Sequence, residues 1–304
     1  MGPETLLAKL GQLDWGSLSP LRIRSRQVAA GVYAGAHRSV RRGAGIEFGG
    51  HREYVPGDDL RWVDRRSLLL HDRLLIRQFE TETERALRIV VDATRSMSYR
   101  GKRAPGAKAA MAGLIAASLA RIAIDGGDPV GLSYLGGEAA RPVPVGGGRE
   151  IFERVIASLD ELQPDADASR DGEAMLERAM GILARAARRG SVVVFLSDLL
   201  DLPEDAIERV ASISSRGRSV VVVQLLDPDE VDLPFEGTVR LRGLEGDRVV
   251  ETDVETTRPA YLAALHALQK RAEEALLSRG GRLVIAKTSD DPVSIVRRTL
   301  EAIR

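Results

Sequence analysis

Three runs of aliphatic residues, ALRIVVD from Ala86, SVVVFLSDL from Ser191 and SVVVVQLLD from Ser219, set the limits on how this chain folds. A strand with one wet face alternates apolar and polar side chains. These runs do not alternate, so both of their faces must be covered. Parallel strands need crossover connections of a dozen residues or more. The stretches between the runs can supply them: the helix APGAKAAMAGLIAASLARIAI follows the first, and REIFERVIASLDEL, GEAMLERAMGILARAARR and PEDAIERVASISSRG follow in turn. The pattern predicts an α/β domain with a mainly parallel sheet and helices on both faces.

The remaining segments extend that pattern. PVGLSYL and ARPVPV read as a hairpin, and the stretch near 233–253 as a second hairpin with Glu245-Gly246-Asp247 at its bend. The helix RPAYLAALHALQKRAEEALLSRGG, the strand RLVIAKT and the helix DPVSIVRRTLEAIR close the chain. Before Ala86 the pattern differs. A short helix signal, PETLLAKLGQL, precedes a stretch from Trp15 to Ile46 that has six arginines (Arg22, Arg24, Arg26, Arg38, Arg41, Arg42) and no acid. Residues 47–85 carry Gly and Pro-Gly-Asp punctuation and the alternating RLLIRQFE, the marks of short strands and turns. The expected organisation is therefore an N-terminal part over 1–85, β-rich towards its end, and an α/β domain over 86–304.

Composition excludes several function classes. With no cysteine there can be no disulfide, thiolate-held zinc or thiol nucleophile, which suits a reducing cytoplasm. Lysine plus arginine equals aspartate plus glutamate at 44 each, so net charge gives no reason to expect nucleic acid or a membrane surface as partner. The longest apolar run, MAGLIAASLA, lies between Lys108 and Arg121 and is far shorter than the roughly 20 residues needed to span a bilayer. No signal-peptide pattern opens the chain, and a cytoplasmic protein is expected. The four histidines (37, 51, 71 and 266) lack metal-binding spacing.

Chemistry concentrates where the buried strands end. RIVVD stops at Asp92 and VVVFLSD at Asp198, and in an open parallel sheet ligands bind beyond the carboxyl ends of the strands. Asp92, Thr94, Ser96 and Asp198 form an all-oxygen set suited to a hard cation such as Mg²⁺. In ordinary use, the same residues make turns and helix caps. The set resembles the metal-ion-dependent adhesion site of von Willebrand factor A domains, whose first loop reads Asp-x-Ser-x-Ser and whose last loop gives an aspartate after a strand. Ser169 or Asp171 stands nearest to that family's middle-loop threonine. Arg95 sits inside the first loop, and an inward guanidinium would replace the metal. Ser96 has no evident base beside it, so a serine hydrolase is disfavoured. GGGRE at 146–150 lacks the Lys-Ser/Thr that a phosphate loop requires.

The string REYVPGDDLRWVD, Arg52 to Asp64, resembles the signature of the bacterial domain-of-unknown-function 58 family, Arg-x-Tyr-x-x-Gly-Asp-Asp-x-Arg-x-x-Asp-Trp. Arg52, Tyr54, Gly57, Asp58, Asp59, Arg61 and Asp64 match it, and Arg65 stands where tryptophan is usual. GAHRS, IRQFETE, DATRSM, SDLLD and DPDEVDLP look like further landmarks of that family in the same order. The resemblance implies a von Willebrand A-like (Rossmann-like) domain and a non-enzymatic adaptor or scaffold acting with a MoxR-type AAA+ ATPase to mature or remodel a client protein. Many members have N-terminal membrane helices, and this chain resembles a short form without them. The signature residues are expected to be structural. Two rival readings are a metal-dependent hydrolase using the same crevice and a nucleic-acid-binding module using the arginines at 22–42.

Overall fold

The computed structural model describes residues 21–35, 47–53, 75–80 and 86–303, apart from the short stretches 138–140, 187–189, 215–216 and 246–248. The PETLLAKLGQL signal, Arg38, Arg41 and Arg42, and all of the Arg52–Asp64 signature after Glu53 lie outside the described residues.

Two units make up the chain. The smaller falls within Arg38–Glu84, where strands β1 (Glu47–Glu53) and β2 (Leu75–Glu80) pair antiparallel. The larger contains helix α1 (Leu21–Gly35) and everything from Arg85 onward. A division at 85/86 alone would leave α1 with the β-rich segment, but α1 buries Val28, Ala29 and Val32 in the α/β unit. Its arginines therefore sit on a packed helix, and Arg22 pairs with Glu153 of the same unit.

The larger unit is the α/β domain expected. Strands β3 (Leu87–Asp92), β4 (Val130–Leu135), β5 (Val143–Gly146), β6 (Val192–Ser197), β7 (Ser219–Leu226) and, near the C-terminus, β10 (Arg282–Lys287) form one sheet in the order β10-β7-β6-β3-β4-β5. All neighbours are parallel except β4 and β5, the antiparallel pair read from PVGLSYL and ARPVPV.

Why the aliphatic runs do not alternate is visible in the two cores. Successive side chains point to opposite faces, so Ile89, Val91, Val194, Leu196, Val221 and Val223 enter one core while Val90, Val193, Phe195, Val220 and Val222 enter the other. Helices α1, α2 (Lys108–Asp125), α3 (Gly148–Asp160) and α8 (Pro292–Ala302) cover the first face. Helices α4 (Ala168–Ala186), α5 (Ala206–Ser212) and α7 (Val254–Leu277) cover the second. Helix α2 is buried over most of its length, which its run of Ala, Gly and Ser permits by letting neighbouring backbones approach.

Two local expectations change. DPDEVDLP reads as a turn but forms the short helix α6 (Pro228–Asp232), because Asp227 and Glu230 make a reciprocal capping box with Pro228 in the first turn. Helix α7 starts at Val254, a turn before the expected Arg258, because the Asp253 carboxylate accepts from Thr256 N at 3.0 Å. The hairpin near 233–253 is present as β8 (Thr238–Arg242) and β9 (Val249–Asp253), paired only with each other among the described strands.

The connection from β3 runs to β4 on one side, while β6 lies on the other side of β3. The strand order thus reverses between β3 and β6, and the carboxyl ends of these two strands frame a crevice.

Candidate functional site: a crevice with an internal lysine

Asp92 ends β3 with no solvent exposure. Its Oδ1 accepts from Thr94 N at 2.9 Å and from the Thr94 hydroxyl at 2.7 Å, and its Oδ2 accepts from the Ser197 hydroxyl at 2.5 Å. The Thr94 hydroxyl also lies 3.0 Å from that of Ser96. Burial, and then the nearby charge of Asp198, push the Asp92 carboxyl up to about 7, although its three hydrogen bonds favour the ionised form.

Asp198 follows β6 and is equally buried. Leu200 N donates to its Oδ1 at 2.9 Å, and the loop holding it puts Leu199 and Asp201 at φ of 61° and 55°. Left-handed backbone at residues other than glycine costs energy and persists only where surrounding contacts enforce it. Here Leu199 N donates to the Ser197 hydroxyl, and Gln224 Nε2 donates to the Asp198 carbonyl at 3.0 Å.

The second oxygen of Asp198 accepts from Lys108 Nζ at 2.7 Å. Lys108 opens α2 with its side chain wholly buried, and the same ammonium donates to Glu230 Oε1 at 2.5 Å. Burial opposes the Lys108 charge, but the facing carboxylates of Asp198 and Glu230 outweigh it and raise its pKa. The Tyr99 ring, 5.7 Å away, adds a favourable π face. The other oxygen of Glu230 accepts from Asp227 N, so the capping box of α6 aims this acid at the crevice.

Helix α6 also holds the loop that follows β3. Gly101 N donates to Asp227 Oδ2 at 2.8 Å and Lys102 N to Asp229 Oδ2 at 2.9 Å, while Arg103 bridges Asp229 and Asp232. A Cβ on Gly101 would sit 2.4 Å from oxygens of both Asp227 and Asp229, so only glycine allows this approach.

A carboxylate from the β8–β9 hairpin ties the β3 loop to the start of α4. Glu245, at the bend of the β8–β9 hairpin, accepts from Ser96 N at 2.9 Å and from Ala168 N, the first residue of α4, at 2.6 Å. It is 7% exposed, and burial raises its pKa.

Of the residues expected from sequence, Asp92, Thr94 and Ser96 come together, and Asp198 acts on Asp92 electrostatically from the adjoining strand end. Arg95 turns outward, donating to the Asp165 carbonyl at 3.0 Å and pairing with Asp167 at 3.3 Å. Ser169 donates to Asp167 Oδ1 at 2.6 Å and is exposed, as is Asp171 in the first turn of α4. Sequence reasoning missed Lys108, Ser197, Glu230 and Glu245. The Asp-Pro-Asp-Glu spacing of a capping box was a legible signal for Glu230; a lysine ahead of an apolar helix reads as a solvated flank.

Ligand oxygens around Mg²⁺ stand about 3 Å apart, given bonds of roughly 2.1 Å and octahedral angles. The contacts joining Asp92 Oδ1, Thr94 and Ser96, at 2.7 and 3.0 Å, match that spacing. Asp198 does not fit, because its oxygens are engaged by Lys108 and by Leu200 N. The full four-residue ring is thus not a fit for a resident divalent ion.

A family model described as "Protein of unknown function DUF58" matches residues 50–272, close to three quarters of the sequence. The chain belongs to the DUF58 family. Relatives of this DUF58 protein include uncharacterized proteins of Mycobacterium tuberculosis and Mycobacterium bovis, each 28% identical over 293 residues that cover 95% of this chain and 89% of theirs. Among solved structures, an aerotolerance-related membrane protein from Bacteroides fragilis is similar at 18% identity, covering 72% of this chain and 98% of that one with a TM-score of 0.46. A von Willebrand factor type A protein from Catenulispora acidiphila is similar at 17% identity, covering 75% and 43% with a TM-score of 0.39. At such scores these likenesses carry no functional argument. The sheet of this DUF58 protein is mainly parallel, with its strand order reversing between β3 and β6. The strings DATRSM, SDLLD and DPDEVDLP contribute Asp92, Asp198 and Glu230 to the site. No described helix is long and apolar enough to cross a membrane.

Proposed function

We propose that this DUF58 protein is a non-enzymatic, cytoplasmic adaptor or scaffold that acts with a MoxR-type AAA+ ATPase on a client protein, using the rim of the β3/β6 crevice as its contact face. The observation that carries the reading is how fully the strand-end acids are engaged. Asp92 accepts three hydrogen bonds, Asp198 holds Lys108 and Leu200 N, and Glu245 caps Ser96 N and Ala168 N. A hydrolytic base needs a lone pair directed at water or substrate. These lone pairs are directed at the protein, which suits a rigid binding platform better than a hydrolase. The exposed rim carries charges of both signs, Arg95 and Asp201, as a specific protein contact does. Neutral net charge and the packing of α1 both weigh against nucleic-acid binding through Arg22, Arg24 and Arg26.

The test is co-purification with a MoxR-type ATPase. Charge reversals Arg95→Glu and Asp201→Lys should weaken association, while Arg22→Glu and Arg26→Glu should leave it intact. Loss of association only in the α1 variants would move the contact face to that helix.

A further inference from the structure

We propose that Lys108 is the resident cation of the crevice: its ammonium group, tethered to α2, fills the position that a divalent ion would need beside Asp198 and Glu230, and makes the site independent of metal. The inference rests on geometry and holds whether or not the adaptor reading does.

Three observations converge on it. The ammonium contacts two carboxylates from different elements, Asp198 after β6 at 2.7 Å and Glu230 in α6 at 2.5 Å, bridging them as a metal would. The side chain has no exposed surface, so this is its built position rather than one conformer of a surface lysine. Its own backbone is fixed too: Lys108 N donates to the Tyr99 carbonyl at 3.2 Å, closing the loop that began at Asp92.

The charges explain why metal and lysine exclude each other. A divalent ion at Asp198 would stand within a few ångströms of the ammonium in a poorly screened interior, where like charges repel strongly. Admitting the ion means expelling Lys108 from beneath Tyr99 and breaking both ion pairs. Without Lys108, Asp198 and Glu230 would face each other with no counter-charge, an arrangement that calls for a cation from solution. Arg95 cannot substitute, because it is held outside by Asp165 and Asp167. The three-oxygen arc of Asp92, Thr94 and Ser96 then serves as a hydrogen-bonded turn that holds the β3 loop, not as half of a metal shell.

The experiment compares Mg²⁺ binding and melting temperature in the wild type, Lys108→Met and the double variant Lys108→Met/Asp198→Asn. In the wild type, calorimetry should show no saturable Mg²⁺ or Mn²⁺ uptake, and melting should be the same in EDTA and in excess MgCl₂. Lys108→Met should melt lower in EDTA and recover in Mg²⁺, since a ligand that binds only the folded state stabilises it by mass action. The double variant should lose that recovery. Saturable Mg²⁺ binding by the wild type, accompanied by a higher melting temperature, would overturn the proposal. So would a folded Lys108→Met variant that ignores Mg²⁺. If Lys108→Met fails to fold, the wild-type titration decides alone.

Discussion

Replacing Asp92 by asparagine should remove a specific part of the protein's pH dependence. The Asp92 carboxyl titrates at about 7 in the folded chain against 3.8 in its ordinary state, first because it is buried and then because Asp198 is near. A raised carboxyl binds its proton more tightly in the folded state. Its contribution to stability is therefore fully present below about 3.8 and is lost as pH rises through about 7. A difference of roughly 3 units corresponds to a ceiling of about 4 kcal/mol. Asparagine keeps the shape, still accepts from Thr94, and can donate to the Ser197 hydroxyl that Asp92 accepts from. Urea unfolding from pH 4.5 to 8 measures the effect. Glu230, Glu245 and Asp160 are also raised, chiefly by burial, so the variant keeps some slope of the same sign. The diagnostic quantity is the difference: Asp92→Asn should gain on the wild type as pH climbs and level off above pH 7. Parallel curves would refute a buried, charge-crowded Asp92.

Other substitutions probe the walls of the site. Glu245→Ala strands the amides of Ser96 and Ala168 and should cost roughly 2–4 kcal/mol in chemical denaturation, with faster hydrogen exchange at both amides. Gly101→Ala drives a methyl group into the Asp227 and Asp229 carboxylates; it should cost about 1–3 kcal/mol and speed exchange at Lys102 N. Phe195→Ala empties the second core beneath α5 and α7 and should cost about 3–5 kcal/mol, with no local change in exchange at the β3 loop.

The sheet was readable in the sequence because its physics is local and repetitive. A strand covered on both faces must be aliphatic at every position, and SVVVFLS and SVVVVQLL show it. The strand-end acids Asp92 and Asp198 were readable for the same reason, as abrupt ends to such runs. What was hidden depends on contacts between residues far apart in the chain. Lys108 meets Asp198 across 90 positions and Glu230 across 122, and Glu245 reaches Ser96 across 149. No local pattern marks a lysine as buried when its partners are that distant. The packing of α1 escaped notice because three arginines dominate its composition, whereas Val28, Ala29 and Val32 determine where it goes.

The central claim, that the crevice rim is the contact face, is tested most directly by a hydrogen-exchange footprint of the protein with and without a MoxR-type ATPase. The expected result is added protection at 94–98, 166–168, 199–201 and 243–245, unchanged when EDTA is present. Protection confined to 21–35, or protection at the rim that vanishes in EDTA, would contradict it.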